Sequence, residues 1–152
     1  MELSFTDLLK LDKMAMMSWK ECIEKGIITN NVPDEERAKQ MLNMADLRLE
    51  FWNEEINEKF TALKVEAYYD IIKELIFAHL YKNGFNCTNH LCLIAYLKEK
   101  MSDFDYEIEK IDELRRIRNE INYRGATVQK DFLERNELEF KNIICKLKEE
   151  LL

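Results

Sequence analysis

The chain has 152 residues, 47% of them hydrophobic and 35% charged, which is the size and composition of one globular domain. Only three glycines and one proline are present. This scarcity argues against all-β folds, doubly wound α/β folds and Gly-rich phosphate loops, which depend on these residues. The net charge of −7 argues against nonspecific binding to nucleic acid or to an anionic membrane, but it does not exclude a local basic site.

The first helix is predicted over residues 4–24, with Ser4 or Thr6 and Asp7 as its cap and Gly26 just beyond its end. The acids at the start of the chain are unlike a secretory signal peptide. No apolar stretch is long enough to cross a bilayer. We therefore expect a cytoplasmic protein that does not associate with a membrane.

A loop is predicted over residues 27–33, and a second helix follows the acids at Asp34-Glu35-Glu36. Its apolar residues recur every three or four positions, which predicts one long amphipathic helix. They are Ala38, Met41, Leu42, Ala45, Leu49, Trp52, Ile56 and Phe60.

Four further helices are predicted. The third runs from about residue 62 to 82, with apolar residues on several faces, so it is expected at the centre. The fourth covers residues 90–100 and is capped by Thr88 or Asn89, and the fifth covers about 106–123 after a short break at 102–105. Thr127 is predicted to cap the last. We expect a single all-α domain over residues 1–152, an up-and-down antiparallel bundle of about five to six helices.

The four cysteines, at positions 22, 87, 92 and 145, form no Cys-x-x-Cys pair. This pattern favours reduced thiols in a cytosolic protein. Cys87, His90 and Cys92 are close in sequence, but zinc needs a further ligand at suitable spacing. We therefore predict no metal site and no cofactor. His79 continues an apolar stripe and is predicted to be a hydrogen-bonded core residue, and His90 to be a cap or surface residue.

The fifth helix carries the most informative feature, because residues 114–124 contain four arginines and one acid. On a helical wheel, Arg118 and Asn122 fall on the face of Ile111, Leu114 and Ile121, which should pack into the core. The acids of residues 103–113 are predicted to form a solvated face. Arg118 is then either a structural arginine paired inside the bundle or a phosphate ligand. In the second case Asn119 and Asn122 flank it as donors, and the more exposed Arg115, Arg116 and Arg124 bind nucleic acid.

Residues 117–123, Ile-Arg-Asn-Glu-Ile-Asn-Tyr, resemble the Arg-x(4–6)-His signature of the HEPN domains (higher eukaryotes and prokaryotes nucleotide-binding). The stretch 65–75 resembles the Ala-Tyr-Tyr helix of that family, and the turn at Gly84-Phe85 and His90 follow in the expected order. The resemblance implies a homodimeric helical bundle whose Arg motifs face one cleft. Many members are metal-independent ribonucleases, often toxins paired with a minimal nucleotidyltransferase antitoxin, and others bind nucleotides or RNA.

In this resemblance, Arg118 and Asn119 match the motif, but Tyr123 stands where the family has histidine. Metal-independent RNA cleavage needs a base for the 2′-hydroxyl proton, and tyrosine, with an ordinary pKa of about 10, is a poor one. We expect a dimer that binds nucleotide or RNA phosphate through the Arg-Asn helix end, with weak or lost nuclease activity. The alternatives are a non-catalytic interaction module, for example a partner of a nucleotidyltransferase, and an active ribonuclease that uses Tyr123 and the asparagines.

Overall fold

The computed structural model describes residues 2–3 and 17–152. It is 77% helical, which confirms the all-α bundle. The six helices of this part are α1 (Trp19–Glu24), α2 (Glu35–Trp52), α3 (Thr61–Lys82), α4 (His90–Lys100), α5 (Asp105–Arg124) and α6 (Lys130–Leu151). Single 3₁₀ turns, Glu58–Phe60 and Ser102–Phe104, precede α3 and α5.

Helix α3 is the centre of the bundle, as its apolar residues on several faces predict. It packs against α2, α4, α5 and α6, while α1 packs on α4. The core lies around it and includes Tyr68, Ile72, Leu75 and Ile76. His79 is buried there, with Nε2 2.8 Å from the carbonyl oxygen of Leu147, which confirms the prediction of a hydrogen-bonded core histidine.

Two small pairs of strands, neither of which was predicted, join the connections of the bundle. β1 (Glu2–Leu3) pairs in parallel with β4 (Thr127–Val128). β2 (Ile28–Asn30) pairs antiparallel with β3 (Phe85–Cys87), so part of the predicted loop 27–33 is a strand. Thr127 accordingly lies in a strand and does not cap α6, whose N-cap residue is Gln129.

The ends of the first two helices differ from the prediction. α1 begins after Ser18, whose Oγ accepts a hydrogen bond from the backbone N–H of Glu21, so residues 17–18 are not helical. The predicted cap at Ser4, Thr6 and Asp7 lies outside the described residues.

Helix α2 ends at Trp52 rather than continuing to Phe60. Asn57 accepts a hydrogen bond from the backbone N–H of Lys59 at 3.1 Å and starts the short 3₁₀ turn. Local hydrogen bonds from side chains to the backbone compete with a continuing helix. Here they outweigh the helical spacing of the apolar residues up to Phe60.

Gly84, between α3 and β3, occupies a position that only glycine fits. Its φ is +80°, and a Cβ atom added there would lie 2.7 Å from the carbonyl oxygen of Asn31. The backbone N–H of Asn31 donates to the carbonyl of Gly84 at 2.7 Å. The close approach therefore fixes the start of the β2–β3 pair against the end of α3.

The prediction of reduced cysteines is wrong for two of the four. Cys22 of α1 and Cys92 of α4 form a disulfide, and both residues are fully buried. Their sequence separation of 70 residues hid the pairing, because it becomes visible only once α1 is packed on α4. Cys87 and Cys145 are free.

Candidate anion site

The guanidinium of Arg118 lies at the surface between α5 and α3. The side chain is half-buried, and its Cζ lies 5.9 Å from the centre of the Tyr69 ring of α3. Within residues 17–152, no carboxylate lies within 4.0 Å of its nitrogens. Since an arginine keeps its charge at any physiological pH, this position carries a positive charge that no acid of the described chain neutralises at contact.

Asn122, one helical turn after Arg118, orients that guanidinium. The amide of Asn122 is assigned the orientation in which its oxygen lies 3.1 Å from Nε, Nη1 and Nη2 of Arg118. In the same orientation its nitrogen donates a hydrogen bond to Oε2 of Glu66 on α3. Hydrogen bonds therefore link Glu66 to Asn122 and Asn122 to Arg118, so that a neutral amide lies between the acid and the cation.

His90, the first residue of α4, belongs to the same cluster. Its ring centre lies 6.3 Å from that of Tyr69. Burial lowers the pKa of His90 below its ordinary value, and the charges of Lys73 and Arg118 lower it further, against the opposing effect of Asp70. The positive charges near this ring thus act more strongly than the negative ones, so an anion bound here would be stabilised.

Tyr69 shows the same electrostatic environment from inside the bundle. Burial raises the pKa of its hydroxyl to about 12, although the charges of Arg115 and Arg118 act to lower it. The ring is therefore a neutral wall of the site at any physiological pH.

Arg115 and Arg116, predicted to be exposed nucleic-acid ligands, point elsewhere. Arg115 and Asp112 are each only 3% exposed, and the guanidinium donates to Oδ1 of Asp112 from Nη2 at 2.8 Å and from Nε at 3.0 Å. Nε of Arg116 lies 3.5 Å from Oδ2 of the same carboxylate. Asp112 was predicted to lie on a solvated face, but it is buried. It compensates the charges of Arg115 and Arg116, which lie one turn further along α5.

The predicted core face of α5 is also displaced. Its buried residues are Ile108, Ile111, Asp112, Leu114, Arg115 and Ile117, whereas Asn122 is exposed. The helical wheel grouped Arg118 and Asn122 with Ile111, Leu114 and Ile121, and Arg115 was predicted to be more exposed. Arg115 is buried instead because Asp112 compensates its charge.

The end of α5 does not contribute Tyr123 to the cluster. Tyr123 is 78% exposed and follows Asn122 by one position, which turns it about 100° around the helix. The Arg124 side chain is exposed, and its Nε lies 3.5 Å from Oε2 of Glu120. Asn119 is half-buried. Of the predicted site residues, the structure brings together Arg118 and Asn122.

Five members of the site were not predicted: Glu66, Tyr69, Asp70 and Lys73 of α3, and His90 of α4. Four of them lie in the stretch 65–75 that resembles the Ala-Tyr-Tyr helix, so that segment was the available signal. Their polar groups share a side of α3 at helical spacing, but the sequence did not show that α5 and the start of α4 meet that side.

A groove between α2 and α3 adjoins this cluster. It consists of two hollows of about 340 and 220 Å³ that share Arg48 and Asp70 as lining residues. The larger is also lined by Met41, Lys73, Glu74, Phe77 and Tyr81. Asp70 lines both hollows and directly follows Tyr69, whose ring belongs to the Arg118 cluster, so the groove and the cluster are neighbours on α3.

No group of three or more His, Cys, Asp or Glu residues is placed to hold a metal ion in residues 2–3 and 17–152. In the set of Cys87, His90 and Cys92, the disulfide already occupies Cys92. Nor does any helix in these ranges have the length and apolar character needed to span a membrane. No family model matches the chain, and comparisons with curated proteins and with solved structures find no significant match.

Proposed function

We propose that the face around Arg118 binds the phosphate group of a nucleotide or of RNA. The observation that carries this proposal is the half-buried Arg118 guanidinium, which is oriented by the amide oxygen of Asn122 and has no carboxylate within 4.0 Å among the described residues. A structural arginine inside a protein is ordinarily compensated by an acid, as the buried Arg115 is by Asp112. Arg118 instead keeps its charge available for an external anion.

The surrounding groups support the same assignment. Lys73 and His90 add donors beside Arg118, and the ring of Tyr69 closes the floor of the cluster. The net charge of −7 confines anion binding to such a local site. The proposal agrees with the resemblance of residues 117–123 to the HEPN signature, which also implies a homodimer and, for many members of that family, a nucleotidyltransferase partner.

We expect nuclease activity to be weak or absent, because Tyr123 is exposed and lies outside the cluster. A second function, that of a protein-interaction module, is favoured by one feature of α2. Met44, Leu47 and Phe51 are exposed on one side of this helix, and a stripe of exposed apolar side chains is typical of a protein interface.

The test is calorimetric titration with ribose 5-phosphate and with a short single-stranded RNA. Arg118→Ala should weaken binding of both by about tenfold to a hundredfold, the value of one hydrogen-bonded charge contact. Arg124→Ala is the matched control, since it removes an exposed arginine of the same helix, and it should change affinity less than about threefold. Equal affinities for the wild type and Arg118→Ala would refute the phosphate site.

RNA cleavage without metal separates binding from catalysis. The wild type and Arg118→Ala should both cleave at background rates. Cleavage by the wild type that disappears in Arg118→Ala would show an active ribonuclease. If His90→Ala also removed it and Tyr123→Phe did not, the base would be His90 rather than Tyr123.

A further inference from the structure

We propose that the larger hollow between α2 and α3 is a base pocket, which accepts a nucleobase with an exocyclic amine while the phosphate lies on Arg118. This inference rests on the proposed phosphate site, and it adds the class of nucleotide that the site prefers.

The first observation is an acidic side chain in the wall of the hollow. Oδ1 of Asp70 is buried and receives no hydrogen bond in the described part of the chain, and Nζ of Lys73 lies 3.5 Å from it. The Lys73 ammonium compensates this oxygen as an ion pair, while the Asp70 side chain as a whole is 30% exposed and lines the hollow. Its carboxylate can therefore also accept a hydrogen bond from the amine of a ligand.

The second observation is that the other acid of the hollow is already satisfied. Oε2 of Glu74 accepts a hydrogen bond from Nε of Arg48 at 2.9 Å. The two carboxylates therefore differ in availability, although they lie one turn apart on the same helix. Asp70 is the one that can accept hydrogen bonds from an amine.

The third observation is the shape and chemistry of the hollow. Its volume of about 340 Å³ falls at the lower end of the range for small-molecule pockets. Met41 and Phe77 line it beside the charged groups, and the Phe77 ring stacks on Tyr81 with 6.2 Å between centres. One face of Tyr81 is covered by the guanidinium of Arg37, 4.0 Å from the ring centre. The flat face of a nucleobase can therefore pack against the aromatic side of this hollow.

The fourth observation joins the hollow to the phosphate site. Lys73 and Asp70 line the hollow, and Asp70 directly follows Tyr69, whose ring centre lies 5.9 Å from Cζ of Arg118. A mononucleotide can therefore place its phosphate beside Arg118 and Lys73 and its base beyond Asp70. Adenine, guanine and cytosine carry an exocyclic amine, whereas hypoxanthine and uracil do not.

The experiment compares AMP, GMP, IMP and ribose 5-phosphate by calorimetric titration of the full chain. At least one of AMP and GMP should bind about tenfold more tightly than IMP, the value of one charge-assisted hydrogen bond. Asp70→Ala should reduce this preference below threefold without weakening the binding of ribose 5-phosphate. Phe77→Ala should weaken the binding of the preferred nucleotide and leave the affinity for ribose 5-phosphate unchanged.

Glu74→Ala is the matched control, because it removes the same charge from the same hollow and should retain the preference. Asp70→Asn, with far-UV circular dichroism, shows whether a loss in Asp70→Ala reflects folding. Equal binding of AMP, GMP and IMP by the wild type, or an unchanged preference in Asp70→Ala, would overturn the base pocket. A wild type that does not bind ribose 5-phosphate, or binds it independently of Arg118, would overturn the phosphate site instead.

Discussion

Exchanging the acid and the amide beside Arg118 tests directly whether the free charge of this arginine matters. The double substitution Glu66→Gln/Asn122→Asp keeps the composition of charges and moves the carboxylate from α3 to α5. The new carboxylate would then stand where the Asn122 oxygen now lies, 3.1 Å from three guanidinium nitrogens. The amide introduced at position 66 can still exchange a hydrogen bond with residue 122, so the packing of α3 and α5 is retained.

The expected effect follows from the distances. Two unit charges about 4 Å apart near a protein surface interact with about 4 kcal/mol at an effective dielectric constant of 20. A phosphate approaching Arg118 meets the new carboxylate somewhat further away and with more solvent between them. We therefore expect a loss of about 1–3 kcal/mol in phosphate affinity, roughly tenfold to a hundredfold.

The assay is calorimetric titration with ribose 5-phosphate at two salt concentrations, with urea unfolding measured in parallel. The single variant Asn122→Asp places two carboxylates together and should be less stable than the double variant. An affinity within threefold of the wild type in the stably folded double variant would refute the reasoning, because the charge of Arg118 would then be neutralised without consequence.

Four further predictions concern stability. Glu137→Leu should lower the free energy of unfolding by about 3 kcal/mol in urea titration, because it leaves the buried ammonium of Lys64, now 3.0 Å from Oε2 of Glu137, without its acid. The double variant Lys64→Met/Glu137→Leu should lose less than the sum of the single changes, and additive losses would contradict the coupling. Reduction should lower stability by about 4 kcal/mol through loss of the Cys22–Cys92 link across 70 residues, measured as the urea midpoint with and without reductant. Cys145→Ser should show the same sensitivity to reductant, and an unchanged midpoint in the wild type would show that the disulfide does not contribute. Gly84→Ala should cost more than about 2 kcal/mol in thermal unfolding, whereas Gly26→Ala, with φ of +69° but no atom within 4 Å of its added Cβ, should cost about 1 kcal/mol. Burial lowers the pKa of His79 below its ordinary value of 6.5, so the unfolded chain binds the proton more readily and stability should fall as pH drops below 6.5. His79→Gln should flatten that part of the stability profile, and an unchanged slope would contradict this assignment.

The bundle could be predicted because its long helices follow rules that act within the sequence. α3 was placed within one residue at its start and correctly at its end, and Asn89 caps α4 through its side chain as its type suggests. The short strands could not be predicted, because residues 2–3 and 127–128 pair across almost the whole chain. Such pairing depends on where the helices carry the connections rather than on local propensity.

The disulfide and the buried pair of Arg115 and Asp112 were missed for a related reason. The disulfide depends on the packing of α1 on α4, and the burial of Arg115 depends on its pairing with Asp112. A single sequence displays neither contact. An arginine read alone belongs on the surface, but three positions from an aspartate it can be buried with its partner.

The count of arginines in residues 114–124 therefore overstated the charge available at the end of α5. Arg115 and Arg116 share the carboxylate of Asp112, and Arg124 approaches Glu120. Arg118 differs because its partner within contact distance is an amide, which fixes the direction of the guanidinium without cancelling its charge. For an anion, one oriented cation beside Lys73 and His90 in a partly desolvated position is a better ligand than several solvated ones. The spacing of four residues between Arg118 and Asn122 thus carries more information about function than the number of arginines around it.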